Sequence, residues 1–176
     1  LERKFSVFCN SGSSANLLAV YAFLQSGKLR NKKVIVPSVG WVTTISPFIQ
    51  FEFKPIMCGA DKDTFALDYE HLEKLLKKHR PAVVAMVQVL GVPGVMEELI
   101  RLKRRYGFFL LEDACAALGA EYDGRKVGAF GDLSTFSFFF GHQLSTIEGG
   151  MVNTNDKKLY DMLLMLRSHG WGKDLD

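Results

Sequence analysis

Residues 83–113 read VVAMVQVLGVPGVMEELIRLKRRYGFFLLED, and the fold follows from the order of patterns inside them. Val83 to Val89 is a run of apolar, largely β-branched residues without the polar alternation of a half-wet strand, so it reads as a strand buried on both faces. From Met96 to Tyr106 the apolar positions fall at helical spacing among charged ones, the signature of an amphipathic helix. Phe108 to Leu111 is again apolar and short. A strand, a covering helix and a second strand in this order make a βαβ unit, whose two strands lie parallel.

The same alternation extends in both directions. Phe5 to Cys9, Val34 to Pro37 and Phe53 to Met57 read as further buried strands, separated by helical patterns at about Ser14 to Gln25, Thr43 to Phe51 and Asp68 to His79. After Leu111 the strands become shorter, near Ala120 to Tyr122, Ser134 to Phe139 and Met151 to Asn153, and a last helix runs from about Asp156 to Ser168. No repeat, low-complexity tract or linker divides the chain. The expectation is one α/β domain, a three-layer αβα arrangement with a mostly parallel sheet.

Composition narrows the class. With 48% hydrophobic and 23% charged residues in 176, the chain has enough apolar surface for one sizeable core and is far from the disordered regime. The formal charge of +3 is small, and its densest basic cluster, Arg101 to Arg105, sits on a helix as a solvated face, so no nucleic-acid footprint is expected. Cys9, Cys58 and Cys115 form an odd set without CxxC spacing. This suggests a reducing compartment, with neither a disulfide framework nor a metal site. No stretch reaches the length of a membrane span and no signal-peptide pattern opens the chain. A cytoplasmic enzyme without membrane or nucleic-acid partners is expected.

Four places carry residues suited to chemistry. The turn Asn10-Ser11-Gly12-Ser13-Ser14-Ala15-Asn16 joins a strand to a helix, gathering backbone N–H groups and hydroxyls at a positive helix end; that suits a phosphate, although Ser13 or Ser14 could equally be a plain N-cap. Asp113 stands at the carboxyl end of a strand, where doubly wound sheets present ligand-binding residues, and where isolated aspartates also serve as turn or cap residues. Trp41 follows Val34-Ile35-Val36-Pro37 at a strand-to-helix junction, a position that suits either core packing or ring stacking. The fourth place is Ser134 to Val152, STFSFFFGHQLSTIEGGMV, with a lone histidine, His142, in apolar surroundings and a Glu148-Gly149-Gly150 turn.

These landmarks together resemble the DegT/DnrJ/StrS sugar aminotransferase family, whose enzymes use pyridoxal 5'-phosphate (PLP), and the match extends from about Asn10 to Gly170. The family motif reads approximately F-S-F-x-x-x-K-x-L-x-x-G-E-G-G, and here Phe136-Ser137-Phe138, His142, Leu144 and Glu148-Gly149-Gly150 occupy its places. The lysine position holds His142. Only an amine can form the covalent link to PLP, whereas imidazole can move a proton near neutral pH. Within the family this exchange resembles the subgroup that includes GDP-4-keto-6-deoxymannose 3-dehydratase, which removes a sugar hydroxyl.

The resemblance implies further roles. It implies the large domain of fold-type-I PLP enzymes for residues 1–176, lacking the family's N-terminal segment and small C-terminal domain. It puts the cofactor phosphate on Gly12, Ser13, Ser14 and Ser137, the ring under Trp41, and the pyridine nitrogen on Asp113 within Glu112-Asp113-Ala114-Cys115-Ala116-Ala117-Leu118-Gly119. That segment departs from the family at Ala116, where aminotransferases carry Gln or His. His142 is the expected general base. Cys115 is shared with an iron–sulfur branch, but Lys173-Asp174-Leu175-Asp176 lacks the further cysteines such a cluster needs, so no metal is expected. His169, in Arg167-Ser168-His169-Gly170, resembles the family's R-x-H-G turn, while His71 and His79 read as helix surface.

The implied activity is a PLP- and pyridoxamine 5'-phosphate (PMP)-dependent 3-dehydration of a nucleotide-linked 4-keto-6-deoxyhexose. Glutamate is the amino donor and the full-length protein is expected to be a homodimer. The alternatives are a nucleotide-sugar aminotransferase with another base in the lysine's place, or a non-catalytic cofactor-binding module or inactive fragment.

Overall fold

The computed structural model describes residues 1–173 and 175. Among these residues nine strands and five α-helices follow one another, strand and helix alternating as far as β5: β1 (Phe5–Cys9), α1 (Gly12–Gln25), β2 (Lys33–Pro37), α2 (Val42–Gln50), β3 (Lys54–Cys58), α3 (Tyr69–His79), β4 (Val83–Val87), α4 (Met96–Tyr106), β5 (Phe109–Asp113), β6 (Glu121–Tyr122), β7 (Arg125–Lys126), β8 (Leu133–Ser137), β9 (Gly150–Thr154) and α5 (Lys157–Arg167). Seven strands form one sheet in the order β1-β9-β8-β5-β4-β2-β3, and β6 and β7 form a separate hairpin. β2 to β5 and β8 are mutually parallel, and only β9 runs against its neighbours, pairing antiparallel with β1 and β8.

Successive residues of a strand face opposite sides of a sheet, and here both sides are covered. Val34, Val36, Val83, Ala85 and Leu111 pack beneath α1, α2 and α5, with Phe23, Phe48 and Leu163. Ile35, Val84, Met86 and Leu110 pack on the other face with Leu72 and Leu76 of α3 and Leu99 and Leu102 of α4. This double burial explains why the central strands read as unbroken apolar runs.

Three departures from the sequence reading have local causes. β1 is an edge strand with Val7 alone fully buried, because its one partner is β9; its aromatic residues Phe5 and Phe8 stack on Tyr160 and Phe138 instead. β4 ends at Val87, and Val89–Gly91 form a 3-10 turn with Leu90 at positive φ. β7 was not anticipated, since Arg125-Lys126 has no strand pattern and pairs only across the tight Asp123-Gly124 turn.

The topology positions the site. From β2 the chain moves outward to β3, whereas from β4 it moves the other way to β5 and β8. The switch between β2 and β4 opens a crevice at the strands' carboxyl ends, where such sheets bind ligands.

Candidate active site

A cleft of about 450 Å³ lies at those carboxyl ends, and Gly12, Ser13, Trp41, Asp113, Ser137 and His142 all line it. The topology thus collects residues from β1, β2, β5 and β8 into one place. Ser14 is the expected residue that does not line it. Its amide donates to the Ser11 hydroxyl at 3.1 Å, and the two hydroxyls lie 3.1 Å apart.

Ser11, and neither Ser13 nor Ser14, is the N-cap of α1. Its side chain takes the Ser14 amide and its carbonyl takes the Ala15 amide at 2.9 Å. The amides of Gly12 and Ser13 then have no acceptor among the described residues, at the positive end of a helix dipole. Gly12 is glycine because the space is taken. A Cβ there would stand 2.5 Å from the Ser137 Cβ and 3.2 Å from the Cys115 sulfur. Ser137, Gly150 and Cys9 lie side by side across β8, β9 and β1 directly below the turn. Two free amides and the Ser137 hydroxyl are a donor set suited to phosphate oxygens.

Asp113 is 4% exposed at the end of β5. Its Oδ2 accepts from the Thr44 hydroxyl at 2.6 Å and the Asn16 amide at 2.9 Å, and its Oδ1 accepts from the Cys115 amide at 3.2 Å. Thr135 donates to the Asn16 carbonyl oxygen at 2.7 Å and so fixes which way that amide faces. No lysine, arginine or histidine pairs with Asp113 among the described residues. A buried carboxylate with donors but no cation fits a ligand that brings a positive N–H, as a pyridinium nitrogen does. Burial, and then the neighbouring Asp113 charge, push the Cys115 thiol well above its ordinary range, which makes it a neutral wall of the cleft and no nucleophile.

Trp41 is 72% exposed at the N-cap position of α2, so it is a rim residue and not core. His142 is half-buried on the loop between β8 and β9. Its amide donates to the Phe139 carbonyl at 3.0 Å, and its ring meets the Phe139 ring edge-on at 6.1 Å. The imidazole nitrogens make no hydrogen bond to a described residue, leaving both available to a ligand. The loop is tied at its base, where Phe138 donates to Gly149 at 2.8 Å and Thr146 to Phe138 at 3.0 Å. The exposed Gln143 side chain donates to the Ala116 carbonyl at 3.0 Å, tying the loop to the segment after β5.

Glu148, in the turn singled out by the sequence, is exposed and lines the cleft. The carboxylate that satisfies backbone amides is Glu112, fully buried, which accepts from the amides of Gly128, Phe130 and Gly131 at 2.6, 3.1 and 3.0 Å and from Gln88 at 3.1 Å. Asn16, Thr44 and Thr135 were missed. Polar residues at core-facing positions were their only signal. His71, expected on the surface, is half-buried and its Nδ1 accepts the Gly59 amide at 2.9 Å. Among the described residues no group of three or more His, Cys, Asp or Glu is placed to hold a metal ion, and Asp174 and Asp176 of the segment compared with the cluster-binding branch lie outside them.

The whole chain, residues 1–176, matches the DegT/DnrJ/EryC1/StrS aminotransferase family. The chain belongs to that family. It is 38% identical over 175 residues to GDP-4-keto-6-deoxy-D-mannose 3-dehydratase of Yersinia pseudotuberculosis, an alignment covering 98% of this chain and 44% of that protein. Among solved structures it superposes with a TM-score of 0.89 on the E. coli GDP-4-keto-6-deoxy-D-mannose-3-dehydratase with bound hydrated PLP, at 34% identity over 99% of this chain and 45% of the other. A structure of GDP-4-keto-6-deoxymannose-3-dehydratase with a trapped PLP-glutamate geminal diamine also gives 0.89, at 32% identity over 99% of this chain and 46% of the other. This family member therefore spans a little under half the length of those relatives. No helix among its described residues is long and apolar enough to cross a membrane.

Proposed function

We propose that the protein containing this family member is a PLP/PMP-dependent 3-dehydratase of a nucleotide-linked 4-keto-6-deoxyhexose, with glutamate as amino donor. The observation that carries the reading is His142 at the family's lysine position, on the wall of the same cleft as an uncompensated buried Asp113. A non-covalent holder is all this chain can be at position 142, and imidazole adds a proton carrier.

Gly12 and Ser13 would hold the cofactor phosphate through their free amides, assisted by the hydroxyl of Ser137; Ser14 supports the turn. Trp41 would cover the ring and Asp113 would hold its nitrogen. When bound, PMP supplies an amine for the 4-keto carbon and an electron sink that permits loss of the 3-hydroxyl. His142 takes a proton on an imidazole nitrogen as base and can return one to the departing hydroxyl as acid. Glutamate supplies the two electrons and leaves as 2-oxoglutarate, and ammonia and a 3-deoxy-4-keto sugar are the other products. Residues 1–176 form the large domain of a cytoplasmic homodimer in this reading, with the family's other segments supplied by the rest of the protein.

The test is product analysis of the full-length protein with PLP, glutamate and a panel of 4-keto-6-deoxy nucleotide sugars, with ammonia quantified. The expected result is ammonia with a deoxygenated sugar. An aminated sugar without ammonia would make the protein a nucleotide-sugar aminotransferase, and tight PMP binding without turnover would make it a cofactor-binding module. His142→Lys locates the cofactor independently: it should create a borohydride-reducible adduct at position 142, and a folded, cofactor-loaded variant with no such adduct would move the cofactor elsewhere.

A further inference from the structure

We infer that Thr44 and Asn16 are positioning residues whose hydrogen bonds fill Oδ2 and lock the Asp113 carboxylate in one plane, with an acceptor site on Oδ1 left open, so that the cleft selects the cofactor by its cationic ring N–H. The inference rests on the cofactor reading above and adds to it the two residues through which Asp113 acts.

Asp113 is reached by donors only. Thr44 has one hydroxyl proton and gives it to Oδ2 at 2.6 Å, the shortest contact in the group. Asn16 could present either its NH2 or its carbonyl to that oxygen. Thr135 decides between them, because its hydroxyl donates to the Asn16 carbonyl at 2.7 Å and turns the NH2 toward Asp113 at 2.9 Å. Asn16, Thr44 and Thr135 are each at most 1% exposed, so water cannot substitute for any of them. The Cys115 amide supplies a third donor on Oδ1 at 3.2 Å. Every neighbour donates, two to Oδ2 and one to Oδ1, which leaves an Oδ1 acceptor site to be met by an N–H from the cleft.

The three side chains come from α1, α2 and β8, so the carboxylate is held by side chains of both overlying helices, and the one on α1 is held in turn by the adjacent strand. Thr44 opens α2 one turn after Trp41. The residue proposed to cover the ring and the residue that orients its nitrogen partner are therefore fixed by the same helix end.

The test uses the full-length protein and PMP carrying nitrogen-15 in the ring, read by fluorescence titration for affinity and by the ring-nitrogen resonance for protonation. Asp113→Asn is the reference, expected to weaken PMP binding and shift the resonance to its unprotonated position. Thr44→Val, which keeps the shape and removes the donor, should weaken PMP binding by about tenfold, the lower end for a hydrogen bond to a charged group, and move the resonance the same way. Thr44→Ser should restore both. Thr135→Val leaves both donors present but frees the Asn16 amide to turn, and should give a smaller shift in the same direction; it serves as well if Thr44→Val does not fold.

Wild-type affinity and a wild-type resonance in folded Thr44→Val and Thr135→Val, with Asp113→Asn altered, would overturn the positioning role alone. If PMP fails to bind the wild type, or Asp113→Asn changes neither readout, the cofactor reading itself falls and takes this inference with it.

Discussion

Gly150→Ala tests how the site is built, because the methyl group it adds has nowhere to go. A Cβ at Gly150 would lie 2.0 Å from the Ser11 carbonyl oxygen, 2.3 Å from its carbon and 2.8 Å from the Gly12 nitrogen. All three are backbone atoms, so no rotamer change relieves the contact. Relief requires the Ser11–Gly12 turn and β9 to separate by roughly 1 Å, an overpacking of the kind that costs about 1–3 kcal/mol. The upper end applies here, since the Ser11 carbonyl is the acceptor for the first helical bond of α1 and cannot tilt without releasing the Ala15 amide. At about 3 kcal/mol the expected drop in thermal midpoint is about 6–12 °C for a domain of this size. Gly149→Ala is the control. Its Cβ would meet the Thr146 hydroxyl at 2.6 Å and the Phe8 ring at 3.0 Å, both side chains that can move, so a loss below about 1 kcal/mol is expected. The assay is thermal unfolding of the full-length protein with each alanine, together with PMP titration, since the displaced turn is the proposed phosphate holder. A Gly150→Ala protein as stable as the Gly149→Ala control and with unchanged PMP affinity would refute the reasoning.

Glu112→Gln should destabilise by about 3 kcal/mol in urea unfolding at neutral pH, because its NH2 group is forced against the amides that now donate to a carboxylate oxygen; a loss under about 1 kcal/mol would count against the role given to Glu112. Cys58 is fully buried, and desolvation followed by the nearby Asp68 charge pushes its thiol up to about 12, so iodoacetamide at pH 8 should leave it unlabelled in the native protein and label it in urea, read by peptide mass spectrometry. Asp156 caps α5 through the amides of Lys158 and Leu159; burial raises its pKa, but those amides and Lys28 outweigh burial and leave it lowered. A lowered folded pKa means the stabilisation is complete above the unfolded value of about 3.9 and disappears as pH falls through the folded one. Asp156→Ala should therefore cost about 1 kcal/mol at pH 7, and the gap to wild type should close in a urea series carried below pH 4.

The sheet was legible because its central strands are buried on both faces, which writes the fold into unbroken apolar runs such as Val83 to Val87. The edges were less so. β1 carries apolar residues for reasons of ring stacking on Tyr160 and Phe138, and a pattern cannot distinguish that from burial in a sheet. At the site, the cleft-lining residues stood in recognisable motifs, whereas the cradle around Asp113 did not. Asn16 is the last residue of the turn motif and Thr44 follows Trp41 by three, yet each acts on a carboxylate 97 or 69 positions away. Pairing at that distance belongs to the folded chain and leaves no local trace. Glu112 was overlooked for a different reason: it adjoins Asp113 in sequence, but strand alternation sends the two side chains to opposite faces of the sheet, one toward the cleft and one into the Gly128 to Gly131 loop.

The single reversed strand explains how His142 is held. A parallel successor to β8 would need a crossover passing over the sheet, and residues 138–149 would leave the carboxyl ends to reach its start. Because β9 is antiparallel, the same residues form a hairpin loop that begins and ends at the cleft, closed by the Phe138 and Gly149 pair. The return strand then begins at Gly150, whose missing side chain lets Ser11 and Gly12 settle directly on it. One glycine thus joins the loop that carries His142 to the turn that offers two free amides. The base of the loop and the turn are thus joined at the same three strand ends, Cys9, Gly150 and Ser137, by backbone pairing. If His142 and the turn act as proposed, with no lysine at position 142 to tether a cofactor, that shared base is what brings proton carrier and phosphate holder into one cleft.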